Sequence, residues 1–133
     1  MLTLSRQPSA LRVLVVDDHE LTRFSLQLAL SSQENIELVG LASNGQEAIE
    51  MVERHHPDVI ILDLQMPVMD GWSASNHIKH IEPDTRIIAY SSVENPKSSD
   101  IHQADSLDAF CRKDVATPEL IALVRKLGQR SLR

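Results

Sequence analysis

The unbroken apolar run Val59-Ile60-Ile61-Leu62 constrains the fold more than any other feature of the chain. Strand side chains alternate between two faces, so a run with no polar member leaves neither face for water. Such a strand belongs in a parallel sheet covered by helices on both sides. The run Arg12–Val16, rich in Val and Leu, predicts a second strand of this kind. Both end in acid: Asp17-Asp18 follows the first and Asp63 the second. Three carboxylates at one sheet edge repel one another unless a cation or a proton neutralises them. The strand ends, rather than the helices, are where chemistry is expected.

The remaining elements alternate. Leu21, Phe24 and Leu28 recur at helical spacing, and Ile36–Ala42 reads as a strand. Asn44 with Glu47 has the form of a capping box ahead of Ala48, Ile49, Val52 and His55. Asp70-Gly71 opens a third helix through Trp72, Ile78 and Ile81, with Asp70 as its cap. Pro83-Asp84 turns the chain into a strand over Arg86–Tyr90. Asn95-Pro96 starts a fourth helical stretch, with Ile101, Ala104 and Leu107 facing inward. Ala109–Arg112 is a brief fifth strand, and Thr117-Pro118-Glu119 begins a fifth helix carrying Leu120, Leu123, Val124 and Leu127. Five strands alternating with five helices predict a doubly wound α/β fold with a parallel sheet. In the flavodoxin-like order 2-1-3-4-5, strands one and three are neighbours and ligands bind beyond their carboxyl ends. The fold argument and the acids indicate the same place.

Composition narrows the function classes. The 133 residues make one domain, expected over residues 11–128 after a flexible leader (1–10) and before a tail or the start of a linker (129–133). No stretch is long and apolar enough for a membrane span, and the first ten residues lack the apolar core of a signal peptide. A net charge of −6 opposes direct nucleic-acid binding, and Arg125, Lys126, Arg130 and Arg133 read as a solvated face. The single cysteine, Cys111, reads as a buried apolar residue and fits a reducing compartment.

Strand four contributes Ser91 and Ser92 to the same edge, and strand five leads to Lys113, preceded by Phe110. Carboxylates, a hydroxyl and an ammonium suit Mg²⁺ and a phosphoryl group: the cation takes a few carboxylates and keeps waters, and Lys pairs with phosphoryl oxygens. An Asp can also act as nucleophile towards phosphorus.

Four segments carry a resemblance. Val15-Val16-Asp17-Asp18-His19, Ile61-Leu62-Asp63-Leu64-Gln65-Met66-Pro67-Val68-Met69-Asp70-Gly71, Ile88-Ala89-Tyr90-Ser91 and Phe110-Cys111-Arg112-Lys113-Asp114 resemble the receiver domain of bacterial response regulators. The likeness covers residues 11–127 and is greatest to regulators with helix-turn-helix DNA-binding effectors. It implies that Asp63 accepts a phosphoryl group from a sensor histidine kinase. It implies Mg²⁺ held by Asp17, Asp18, Asp63 and the backbone carbonyl of Gln65, with Ser91 and Lys113 binding the phosphoryl group. Ser91 and Phe110 would form the switch, altering the face made by the fourth helix, fifth strand and fifth helix. The implied setting is the cytoplasm. The implied partners are the kinase, an attached DNA-binding effector or a separate protein target, and a second copy of the chain.

The chain departs from the family pattern in places. Ser91 stands where Thr is commoner and Ser106 where Gly is frequent, Phe110 fills the usual Tyr or Phe position without a Tyr hydroxyl, and Lys113-Asp114 replaces the common Lys-Pro. Gln65 and Val93 would flank the phosphoryl group; apolar Val93 cannot position a water, which implies a persistent phosphorylated state. Gln65 also argues against a dehalogenase-like phosphatase, which needs a second Asp there, and no Gly-rich loop supports a nucleotide or flavin site. A phosphorylation-independent receiver-like interaction module is the alternative. Simpler roles suit other residues. Asp18 alone could be a helix cap, His55-His56 a solvated helix end, and Trp72 a packing residue, and neither His19 nor His102 has a ligand partner evident in the sequence.

Overall fold

The computed structural model describes residues 10–66, 69–92 and 106–131. In chain order the elements are β1 (Leu11–Val16), α1 (Glu20–Ser31), β2 (Ile36–Ala42), α2 (Gly45–His55), β3 (Val59–Asp63), α3 (Gly71–Ile81), β4 (Arg86–Ser91), β5 (Ala109–Arg112) and α4 (Thr117–Ser131). The five strands form one parallel sheet in the order β2-β1-β3-β4-β5, as the apolar runs require. Four helices, not five, lie among the described residues. The stretch expected from Asn95-Pro96 falls outside them, as do Val93 and His102, so α4 is the helix that the sequence placed fifth. It runs to Ser131.

Strand alternation divides the core in two. Val13 and Val15 of β1 with Ile61 of β3 pack against Leu26 and Leu30 of α1 and Leu120, Val124 and Leu127 of α4. Leu14 and Val16 with Ile60 and Leu62 face Ala48, Ile49 and Val52 of α2 and Ile78 of α3. Helices thus cover both faces, and β3 is buried along its whole length.

The capping signals act as expected, with one shift. Asn44 accepts from the Glu47 amide, while Glu47 reaches back to the amide and hydroxyl of Ser43 rather than to Asn44 itself. Asp70 accepts from the Ser73 amide at 2.8 Å and is the cap of α3. The α2 helix ends on His56, whose φ of 48° is left-handed and whose ring meets Glu82. That is a structural helix end.

The apolar spacing of α1 has a different meaning. Leu21, Phe24 and Leu28 make a helical stripe, but it faces outward, with exposures of 81%, 56% and 59%. The core is served instead by Leu26 and Leu30 on the opposite side. Arg125 of α4 holds the turn between α1 and β2, donating to the Gln33 side chain and the Glu34 carbonyl, so this basic residue is a structural tie.

Candidate functional site

The parallel register brings the carboxyl ends of β1 and β3 side by side, with Val16 opposite Leu62. The next residue on each strand is an acid, Asp17 and Asp63, and both are buried. The β1 end is fixed by its backbone: Asp17 donates to the Ala42 carbonyl, and its own carbonyl accepts from Arg23. Asp63 is fixed by close packing from α3. A Cβ on residue 71 would lie 2.3 Å from the Asp63 carbonyl oxygen, so only glycine lets α3 start there. The Gly71 amide donates to the Leu64 carbonyl, which secures the same approach.

Lys113, just beyond β5, places its Nζ 2.8 Å from Asp17 Oδ2 and 3.4 Å from Asp63 Oδ2. Its amide donates to the Ser91 carbonyl, joining the exits of β4 and β5. Ser91 is fully buried at the end of β4, while Phe110 is half-buried in β5. Cys111 is buried in β5, as expected, and burial raises its thiol pKa.

The carboxylates are not fully compensated. Asp63 Oδ1 accepts from the Gln65 amide at 3.0 Å, but Asp17 Oδ2, Asp18 Oδ1 and Asp63 Oδ2 are buried and accept no hydrogen bond. Lys113 meets Asp17 as an ion pair without hydrogen-bond alignment. Burial raises the pKa of the Asp63 carboxyl, and the charge on Asp17 adds to this; the Gln65 amide and Lys113 oppose it. Buried oxygens with unused lone pairs, all from carboxylates, fit a hard divalent cation.

His19 joins this group, although no ligand partner for it is evident from sequence alone. Its Nδ1 lies 2.9 Å from Asp17 Oδ1, 3.1 Å from Asp18 Oδ1 and 3.9 Å from Asp63 Oδ2. Among the described residues, one atom each from Asp17, Asp18, His19 and Asp63 lie within 4.8 Å of one another. Asp18 does not cap α1; the cap position is His19, whose side chain makes no capping bond.

This arrangement of strand-end acids and lysine coincides with a family match. The response regulator receiver domain model matches residues 13–125. The chain belongs to that family. Among its relatives, response regulator protein VraR of Staphylococcus epidermidis is 34% identical over 119 residues, spanning 88% of this chain and 56% of that protein. The probable transcriptional regulatory protein NarL of Mycobacterium tuberculosis is 36% identical over 120 residues, spanning 89% and 55%. The chain thus covers about half the length of these curated relatives.

The receiver domain of the M. tuberculosis NarL regulator superposes with a TM-score of 0.82 at 32% identity, covering 92% of this chain and 98% of that one. The response regulator domain of Thermotoga maritima CheB gives 0.79 at 30%, covering 90% and 97%. This chain is therefore a receiver domain of two-component signalling, a family that binds Mg²⁺ at its acidic pocket and interacts with histidine kinases. No helix among the described residues is long and apolar enough to cross a membrane.

Proposed function

We propose that Asp63 is the phosphoacceptor of this receiver, taking a phosphoryl group from the phosphohistidine of a sensor kinase in the cytoplasm. The observation that carries the proposal is the state of the Asp63 carboxylate: one oxygen is held by the Gln65 amide, and the other is buried beside Lys113 without a hydrogen bond. That second oxygen, Oδ2, is the nucleophile. It forms a bond to phosphorus as the bond from phosphorus to the donor nitrogen breaks, and the electron pair leaves with the imidazole.

Asp17, Asp18, Asp63 and the backbone carbonyl of Gln65 would hold Mg²⁺, which when bound offsets the charge on the phosphoryl oxygens. Lys113 is positioned to exchange its contact with Asp63 for one with a phosphoryl oxygen. The buried Ser91 hydroxyl supplies a hydrogen bond to another oxygen. Because the Lys113 amide holds the Ser91 carbonyl, movement of Ser91 is transmitted to the strand that carries Phe110. The modification shifts a pre-existing equilibrium between two arrangements of this face. The aspartyl-phosphate is stored rather than turned over, so the chain acts as a switch and not as an enzyme.

The donor must reach the strand ends from outside. The exposed stripe Leu21, Phe24 and Leu28 begins two residues after His19 and offers an apolar seat beside the acids. The output partner is an attached DNA-binding effector, in keeping with the transcriptional role named for NarL, or a separate protein target. The test is incubation with Mg²⁺ and a small phosphodonor, followed by intact-mass measurement. An adduct is expected on the wild type and none on Asp63→Asn; equal adducts on both would refute the assignment.

A further inference from the structure

We propose that His19 is a ligand of the cation site, and that its nitrogen makes the site favour borderline first-row cations such as Mn²⁺ and Co²⁺ over Mg²⁺ more strongly than carboxylates alone would. The proposal rests on the cation-site reading above and adds a donor to it.

Geometry carries the argument. With bonds of about 2.1 Å, adjacent ligand atoms in an octahedral shell stand about 3 Å apart and opposite ones about 4.2 Å. His19 Nδ1 is 2.9 Å from Asp17 Oδ1 and 3.1 Å from Asp18 Oδ1, the spacing of adjacent donors. Asp63 Oδ2, the nucleophile, lies farther off at 3.9 Å and is not one of these adjacent donors. Asp18 Oδ1 is also one of the buried oxygens that accept no hydrogen bond. Asp17 Oδ1 accepts from the His19 amide and from Nδ1–H, so a cation taken up here displaces the Nδ1 proton.

The backbone holds the imidazole in this position. His19 donates its amide to Asp17 Oδ1 at 2.8 Å, and its φ of −91° and ψ of 115° place it in the extended turn before α1. The His19 side chain as a whole is largely exposed. Chemistry supplies the selectivity. Magnesium prefers oxygen and gives up water reluctantly, whereas imidazole is a good donor to later first-row cations. Lys113 stands on the Asp17 and Asp63 carboxylates as a charge partner and cannot be a ligand while protonated.

The experiment uses the whole chain loaded with Mn²⁺, read by pulsed electron paramagnetic resonance, beside Mg²⁺ and Co²⁺ affinities measured calorimetrically. The wild type should show a directly bound nitrogen whose coupling changes when histidine is labelled with ¹⁵N. His19→Ala should lose that signal, and the ratio of Mg²⁺ to Co²⁺ dissociation constants should fall roughly tenfold. Binding of Mn²⁺ that depends on Asp18, but with no histidine nitrogen and an unchanged ratio, would overturn the proposal and leave the carboxylate site standing. Absence of Mn²⁺ binding altogether would overturn both. The nitrogen signal is read on the unsubstituted chain, so a poorly folded variant would not obscure the result.

Discussion

Gly71 and Asp63 are in contact through space that no side chain can share: a Cβ on residue 71 would stand 2.3 Å from the Asp63 carbonyl oxygen and 2.6 Å from Leu64 Cα. The start of α3 therefore sets where Asp63, the proposed phosphoacceptor, sits. Gly71→Ala must push the two apart. It should destabilise the domain by about 1–3 kcal/mol, the usual cost of overpacking, and reduce adduct formation on Asp63. Denaturant titration and intact mass check this, and an alanine variant of wild-type stability and reactivity would contradict it.

Asp63 gives a pH signature. Its carboxyl pKa is raised in the folded chain, chiefly by burial, so the folded state holds this proton more tightly than the unfolded state. For the metal-free protein, its effect on stability is most favourable in acid, where both states are protonated. That contribution declines as pH rises from the ordinary carboxylate range through the raised value, then levels off. Asp63→Asn removes the decline while keeping an oxygen for the Gln65 amide. Thermal unfolding in chelator should show the variant more stable than wild type at neutral pH, with the gap narrowing towards acid. A variant less stable at neutral pH would count against this electrostatic picture.

Cation binding should be visible as stability. A ligand held only by the folded chain at 100 times its dissociation constant adds about 2.7 kcal/mol, so Mg²⁺ should raise the melting temperature of the wild type. Asp18→Ala should remove most of that rise, since Asp18 contributes an oxygen to the cluster and does not cap α1. An equal rise in both proteins would exclude Asp18 from the site.

Substitutions in the outward stripe on α1 test the proposed donor docking separately from the chemistry. Leu28→Glu and Phe24→Ala lie on exposed positions, so stability should change by no more than about 0.5 kcal/mol. Phosphoryl transfer from a kinase should fall at least tenfold, while labelling by a small phosphodonor stays unchanged. Equal loss with both donors would place the stripe's effect in the site itself.

The legible part of this fold was the part written in apolar runs. Val59–Leu62 and the run before Asp17 fixed two central strands, and parallel winding then required Asp17 and Asp63 to meet. Lys113 followed from the same logic, as a residue just past the exit of β5. What escaped depends on local direction rather than period. The α1 sequence has leucines on both sides, so spacing predicted a helix but not that Leu26 and Leu30 face inward and Leu21 and Leu28 outward. His19 was missed because a turn, not a repeat, aims its ring at the acids. Ser106, which replaces a frequent glycine, is buried and shares a 2.6 Å hydrogen bond with Ser75, a contact between distant segments that no sequence pattern announces.

The most direct test is to locate the modified residue. After reaction with Mg²⁺ and a small phosphodonor, hydride reduction converts an aspartyl-phosphate to homoserine, which peptide mass mapping can place. The account predicts homoserine at position 63 alone, and none when Mg²⁺ is withheld. Homoserine at another acid, or labelling of Asp63 that is indifferent to Mg²⁺, would contradict it.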